Sequence, residues 1–271
     1  MSIKACKSKT ERRTRQIVLH YLRLSVRLCL FLAAAFFYVS ARIGGDARRF
    51  GILEATPLFF HGLFAWFLLE MLLFRILPTS LDSLGSRKQR GAFYVPRQGS
   101  GVPSRRLLSK GVPAVAAVWI AFNALLGILC LTGILDEALL FFVFLGYSIC
   151  DSVCILFYCP IRRWFLKNRC CTSCRIYNWD YAMMCTPLLF LPHPLTYLLV
   201  GASLLILAEW EISFFCHPER FSPDTNDSLR CSACTERLCS HSRELASYLK
   251  TYVKKAKAPE QKCDARAQEE K

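Results

Sequence analysis

The chain has 271 residues, of which 54% are hydrophobic and 20% charged, with a formal net charge of +15. Its apolar residues fall in long blocks, several near the roughly 20 residues that cross a bilayer, which excludes an ordinary soluble domain. The 20 Phe and 5 Trp exclude disorder over most of the chain, and its length excludes a small disulfide-stapled secreted fold. The fold class is all-α: an integral membrane helical bundle of five to six membrane segments, with a small cytoplasmic cysteine-knuckle metal module.

Residues 1–23 form a basic cytoplasmic N-terminus carrying Lys4, Lys7, Lys9, Arg12, Arg13 and Arg15. A membrane region follows over 24–159, with spans at about 24–41, 55–77, 113–134 and 138–159. The first span ends in Val39-Ser40-Ala41, a small-residue pattern that a signal peptidase could cleave. Arg23 and Arg27 intrude into the start of the apolar block, which favours a retained helix over a cleaved signal peptide. Spans three and four are separated by little more than Leu135-Asp136-Glu137 and form a tight hairpin. The stretch 79–112, with Gly85, Gly91, Gly99, Gly101, Pro96 and Pro103, reads as a flexible connector.

After a basic segment at 160–180, residues 181–216 read as an irregular membrane hairpin. Leu195 to Phe215 is a good span, but the preceding block is short and interrupted by Pro187, Pro192 and Pro194. It either crosses at modest tilt from Ile176 or re-enters as a half-helix sheltered by its neighbours. Both versions return the tail, 217–271, to the side the chain left. With the N-terminus inside, Arg42, Arg48 and Arg49 are the only outer basic residues out of 35 Lys and Arg. That is the positive-inside asymmetry, and it places both termini in the cytoplasm of a cell whose inner membrane the protein spans several times.

The same distribution explains the basicity without a nucleic acid, for which no motif is present. Anionic lipid headgroups are the simpler partner. From Ser242 to Lys257, the spacing of Leu245, Leu249 and Val253 among lysines suits a helix on the inner membrane surface.

Of the 15 cysteines, Cys29, Cys130, Cys150, Cys154 and Cys185 lie in apolar segments, where a thiol acts as a small hydrophobe, and Cys6 and Cys263 lie near the ends. The informative set is Cys171-x-x-Cys174 and Cys231-x-x-Cys234. Two C-x-x-C knuckles supply the four thiolates of a tetrahedral zinc site, because two intervening residues let one turn aim both sulfurs at a single ion. About 56 residues separate the pairs, and the membrane hairpin between them returns them to one face. A reducing cytoplasm disfavours a structural disulfide. Arg162, Arg163, Lys167, Arg169 and Arg175 are expected to lower the thiol pKa values. Cys170, Cys239, His217 and His241 leave other ligand sets open. Thiol redox chemistry and an iron–sulfur cluster remain alternatives to zinc for the same thiolates.

Glu70, Asp151, His61 and Asn123 are polar exceptions inside the spans. Glu70 and Asp151 both fall toward the inner leaflet, where Arg27 enters from the first helix and is the expected partner of one or the other. A buried ion pair is the simpler reading and a proton or ion pathway the functional one. His61 and Glu70 fall on opposite helix faces, whereas Asp151 shares one with Cys154. No nucleophile elbow, phosphate loop or metalloprotease helix appears, so the residues point away from an enzyme.

The run Cys170-Cys171-Thr172-Ser173-Cys174-Arg175-Ile176-Tyr177-Asn178-Trp179-Asp180-Tyr181, with His217-Pro218-Glu219-Arg220-Phe221 and the later knuckle, resembles a pattern in uncharacterised prokaryotic multi-pass membrane proteins. The resemblance covers about the last 110 residues and implies a bacterial or archaeal inner membrane, with no known activity. Tyr177, Trp179 and Tyr181 are expected as interfacial anchors. The expected function is a non-enzymatic scaffold, its knuckles clamping the last hairpin and forming a docking surface for a protein partner. A membrane thiol or iron–sulfur electron carrier and a small ion or proton-coupled transporter are the alternatives.

Overall fold

The computed structural model describes residues 2–43, 57–76, 83–99, 101, 105–168, 170–171, 173–234, 236 and 238–252. Arg48, Arg49, Pro103, Arg169, Val253 and Cys263 lie outside them. Among the described residues the chain is helical, with one isolated bridge, Pro96 to Asn226, in place of a sheet. The helices are α1 (Ser2–Ile43), α2 (Pro57–Met71), α3 (Leu84–Arg87), α4 (Arg105–Leu108), α5 (Val112–Leu131), α6 (Glu137–Leu156), α7 (Asp180–Cys185), α8 (Pro194–Cys216) and α9 over 238–252.

Four helices are long and apolar enough to cross a membrane: Arg15–Ser40 within α1, then α5, α6 and α8. The basic N-terminal stretch does not merely precede the first span; it continues the same helix. α2 is shorter, with 15 residues, and a π-helical run over Leu72–Ile76 extends it by 5. The α5–α6 hairpin turns where expected, and Asp136 Oδ1 caps α6 by accepting from Leu139 N at 2.8 Å.

α7 packs into the core. Tyr181, Met184, Cys185 and Leu188 are buried in the main core with Phe64 and Phe67 of α2, Phe141 and Phe144 of α6, and Leu199 of α8. Edge-on aromatic pairs, Phe67 with Phe144 at 4.9 Å and Phe60 with Phe141 at 5.1 Å, knit α2 to α6. Pro187 lacks an N–H and tightens the continuation into a 3-10 turn, Thr186–Phe190. Threonine hydroxyls answer the freed carbonyls: Thr186 Oγ1 donates to Ala182 O at 2.6 Å and Thr196 Oγ1 to Leu191 O at 2.8 Å. Leu191 is extended ahead of Pro192, and His193 Nδ1 then caps α8 at Leu195 N.

This segment packs along α5, α6 and α8. It starts at Asp180, paired with Arg75 at the end of α2. It finishes with Phe190 over Gly127, where a Cβ would come within 2.5 Å of the ring, and with Leu191 against Leu126 and Leu140. Of the expected interfacial aromatics, Tyr181 is in the core, while Tyr177 and Trp179 are half-buried, the Tyr177 ring lying against Gly85 of α3. Trp179 Nε1 donates to Glu211 Oε1 at 2.7 Å.

Charges gather at one end. Arg27 Nη2 donates to Glu70 Oε1 at 2.9 Å, while its Nη1 donates to Asp151 Oδ2 at 2.8 Å, Ser152 Oγ at 2.9 Å and Ser148 O at 2.6 Å. Arg23 approaches Glu70 at 3.3 Å. The guanidinium thus takes both carboxylates rather than one. His61 is exposed and Glu70 buried, as opposite faces require, and Asn123 bonds back to Trp119 O.

The described part of the connector is packed rather than free. Asn178 Nδ2 donates to Gln89 Oε1 at 3.0 Å, Arg220 Nη1 to Gln89 O at 3.1 Å and Arg90 Nη2 to Arg75 O at 2.8 Å. Farther along, Asp227 N donates to Val95 O and Arg97 N to Thr225 O. Turn-forming residues made the stretch read as flexible, but those turns let its backbone reach distant partners.

Replacing Arg27 with Met leaves Glu70 and Asp151 buried without their shared cation. This should cost on the order of 3–5 kcal/mol, read as a lowered melting temperature in detergent. Adding Glu70→Gln and Asp151→Asn should recover most of the loss.

Candidate functional site

The C-terminal end of α6 presents Cys150, Asp151 and Cys154, at i, i+1 and i+4, to one cavity, with Cys154 one turn beyond Cys150. Five residues beyond Cys154, and three past the end of the helix, Cys159 precedes Pro160 and a π-helical turn, Ile161–Phe165. The thiol of Cys159 accepts from Arg162 N at 3.4 Å and is hydrogen-bonded by the Cys154 thiol. The first knuckle folds back over the same region. Cys174 N donates to Cys171 O, and Asn168 braces the turn through Cys170 N at 3.1 Å and Ser173 Oγ at 3.1 Å. Arg162 Nη1 donates to the Cys171 sulfur.

These pieces surround a cavity of about 450 Å³ between α5, α6 and the 160–184 segment. Cys150, Cys154, Cys159, Cys171 and Cys174 line it together with Asp151, Asp180 and Arg162. Most of the remaining wall is apolar or aromatic, including Val118, Trp119 and Phe122 of α5. Gly111 starts α5 beside this wall with φ +85°, and a Cβ there would sit 2.3 Å from Phe165 O. Only glycine satisfies both constraints.

The thiols differ in character. Cys159 is pulled down to about 6, first by the hydrogen bond from Cys154 and then, against burial, by Arg162 through its backbone N–H and its charge. Cys171 is pushed up to about 12 because burial outweighs the Arg162 guanidinium, and burial raises Cys174 as well. The basic residues of 160–175 therefore do not lower the knuckle thiols as expected. Arg175 is committed elsewhere: it pairs with Glu211 at 2.9 Å and stacks on Phe214 at 3.6 Å. Lys88, pulled down to about 7 by burial, donates to Cys174 O and faces Trp210 at 5.0 Å.

The expected metal set is not gathered. Among the described residues no group of three or more His, Cys, Asp or Glu side chains is placed to hold a metal ion. Cys171 and Cys174 face the cavity, Cys231 is exposed, Cys234 is buried and Cys239 half-buried. His217 turns to Glu219 at 3.1 Å, His241 meets Tyr21 Oη at 3.1 Å, and Cys170 stays in the knuckle turn. The connector touches the segments that carry both knuckles. Lys88 holds the first knuckle, while Val95 and Arg97 bond to the 225–227 turn just ahead of the second. The present donors do not fit a shared four-thiolate centre.

Cys159 was missed in the sequence because it ends an apolar block, where a thiol reads as filler. The usable signal was the helical spacing of Cys150, Asp151 and Cys154, followed by a cysteine and a proline at the helix end. No protein-family model, curated protein or solved structure matches the chain.

Alkylation by iodoacetamide, followed by peptide mass mapping against pH, should show Cys159 half-maximally reactive near pH 6. Reactivity should fall below that pH as the thiolate is protonated, and Cys171 should stay unmodified at pH 8. Cys154→Ala should move the midpoint upward, and further than Arg162→Gln does, because Arg162 keeps its backbone N–H in the variant.

Proposed function

We propose that this is a six-segment membrane protein of a prokaryotic inner membrane, both termini cytoplasmic, that exchanges thiols and disulfides at its cytoplasmic end. Cys154 and Cys159 are the exchanging pair, with Cys171 and Cys174 facing them. The observation that carries this reading is the convergence of thiols from two separate segments on one cavity, with Cys154 and Cys159 in direct contact. A thiolate at neutral pH beside a second thiol is the requirement for exchange. Cys159 attacks a partner disulfide and releases one partner thiolate. Cys154 then attacks the mixed disulfide and releases the second partner thiolate, closing Cys154–Cys159.

The six-segment topology is supported by the basic residues and by a 177–190 segment that spans from Arg75 to the Leu126–Leu140 end. Anionic headgroups are the partner for the basic inner surface. The scaffold with a zinc clamp has less support, because among the described residues no group of three or more His, Cys, Asp or Glu side chains is placed to hold a metal ion. Transport has less again, because Glu70 and Asp151 are both engaged by Arg27. A buried, multiply bonded guanidinium suits architecture better than a moving charge.

Titration of the detergent-purified chain with oxidised glutathione should remove two hydrogens and yield a Cys154–Cys159 disulfide by peptide mapping. Cys231→Ser should leave this unchanged. Elemental analysis gives the opposing result: one zinc per chain, lost in both Cys171→Ser and Cys231→Ser but kept in Cys159→Ser, would replace exchange with the clamp.

A further inference from the structure

The cavity beside Cys154 and Cys159 has a depth, a mouth and a lining that thiol exchange does not require. Its wall on α5 runs from Val115 to Phe122 and on α6 from Tyr147 to Ile155, with Cys159, Arg162 and Phe165 at the shallow end. The Phe122 and Tyr147 rings, 6.3 Å apart, stand at the deep end. From the start of α5 to Phe122 is roughly 15 Å at the helical rise, about half the thickness of a bilayer's hydrocarbon core. Val118 and Phe122 line the cavity yet are 55% and 47% exposed on a helix long and apolar enough to cross a membrane. The cavity therefore opens through the face that α5 turns outward. Nearly all of its lining surface is apolar. Such a wall selects hydrocarbon, because it offers a polar ligand almost nothing to bond.

The shallow end carries charge of one sign. Residues 152–179 contain no Asp or Glu, but they include Arg162, Arg163, Lys167, Arg169 and Arg175. Arg163 and Lys167 are exposed on and just after the π-helical turn, and the Arg163 guanidinium lies 5.5 Å from the Tyr158 ring. Trp164, next to Arg163, is 68% exposed. Exposed Trp and Tyr beside Lys and Arg at the end of a membrane helix mark headgroup level. The two carboxylates on the wall, Asp151 and Asp180, are paired with Arg27 and Arg75 and do not oppose an anion there. We propose that the cavity seats one acyl chain of an anionic phospholipid of the cytoplasmic leaflet, its phosphate held by Arg163 and Lys167. The chain enters past Val118 and Phe122, lies against Cys150, Cys154 and Cys159, and covers these thiols from water. A lipid fits better than a free anion because the cations stand at the rim of an apolar slot about one leaflet deep.

The lipid seat rests on the membrane topology proposed above for its choice of leaflet, and not on thiol exchange. Full-length protein, purified free of lipid in detergent, is titrated with dioleoyl phosphatidylglycerol or dioleoyl phosphatidylcholine. Retained lipid is counted by native mass spectrometry, and alkylation of Cys159 by iodoacetamide is followed by peptide mapping. One phosphatidylglycerol per chain is expected, with Cys159 alkylation slowed and the slowing saturating at the same lipid concentration. Arg163→Gln together with Lys167→Gln should weaken phosphatidylglycerol binding by about thirtyfold, the combined attraction of two basic residues, and remove its advantage over phosphatidylcholine. Val118→Trp, at the exposed mouth, should abolish both retention and protection. Phosphatidylcholine retained as tightly by the unaltered chain would overturn the anionic headgroup. Retention and protection that survive Val118→Trp would place the lipid outside the cavity and overturn the seat. Failure of this titration leaves thiol exchange standing, and failure of the glutathione titration leaves the lipid seat standing.

Discussion

The buried guanidinium of Arg27 is the constraint on which the rest of this structure depends. One side chain ties α1 to α2 through Glu70 and to α6 through Asp151, Ser148 and Ser152. A charge at that depth is tolerated only when its donors are answered, and the planar fork of arginine answers two carboxylates at once. Because Asp151 is held from one side, the α6 face carrying Cys150 and Cys154 is turned toward α5 and the cavity. The ion pair is architecture, and the cavity is set by it.

A second layer of polar contacts closes the same end. Arg75 holds Asp180 at the start of α7, Arg175 holds Glu211 near the end of α8, and the connector threads between them through Lys88, Gln89 and Arg90. Each cation has an acceptor or an aromatic face, as with Arg175 over Phe214. This lattice positions the first knuckle over the cavity. Burial pushes the Cys171 and Cys174 thiols up, whereas the Cys154 hydrogen bond and Arg162 pull the Cys159 thiol down just beyond the end of α6.

The run of residues by itself determined the helical membrane class, most of the long apolar helices after the first to within a few residues, the α5–α6 hairpin, and the pairing of Arg27 with Glu70 or Asp151. These follow from hydropathy length, from charge asymmetry and from the cost of an unpaired charge in lipid, all of which act locally or along one axis. The shared face of Asp151 and Cys154 was legible for the same reason, since helical periodicity is local. Only the tertiary structure decided the remainder. The connector looked flexible because turn residues say nothing about distant partners, yet Gln89 bonds to Asn178, Glu209 and Arg220. The two knuckles looked like one centre because a shared membrane face is a matter of topology, whereas ligation needs convergence within a few ångströms. That convergence depends on packing by residues distant in sequence: Lys88 bonds to Cys174 O and Val95 to Asn226, 86 and 131 positions away.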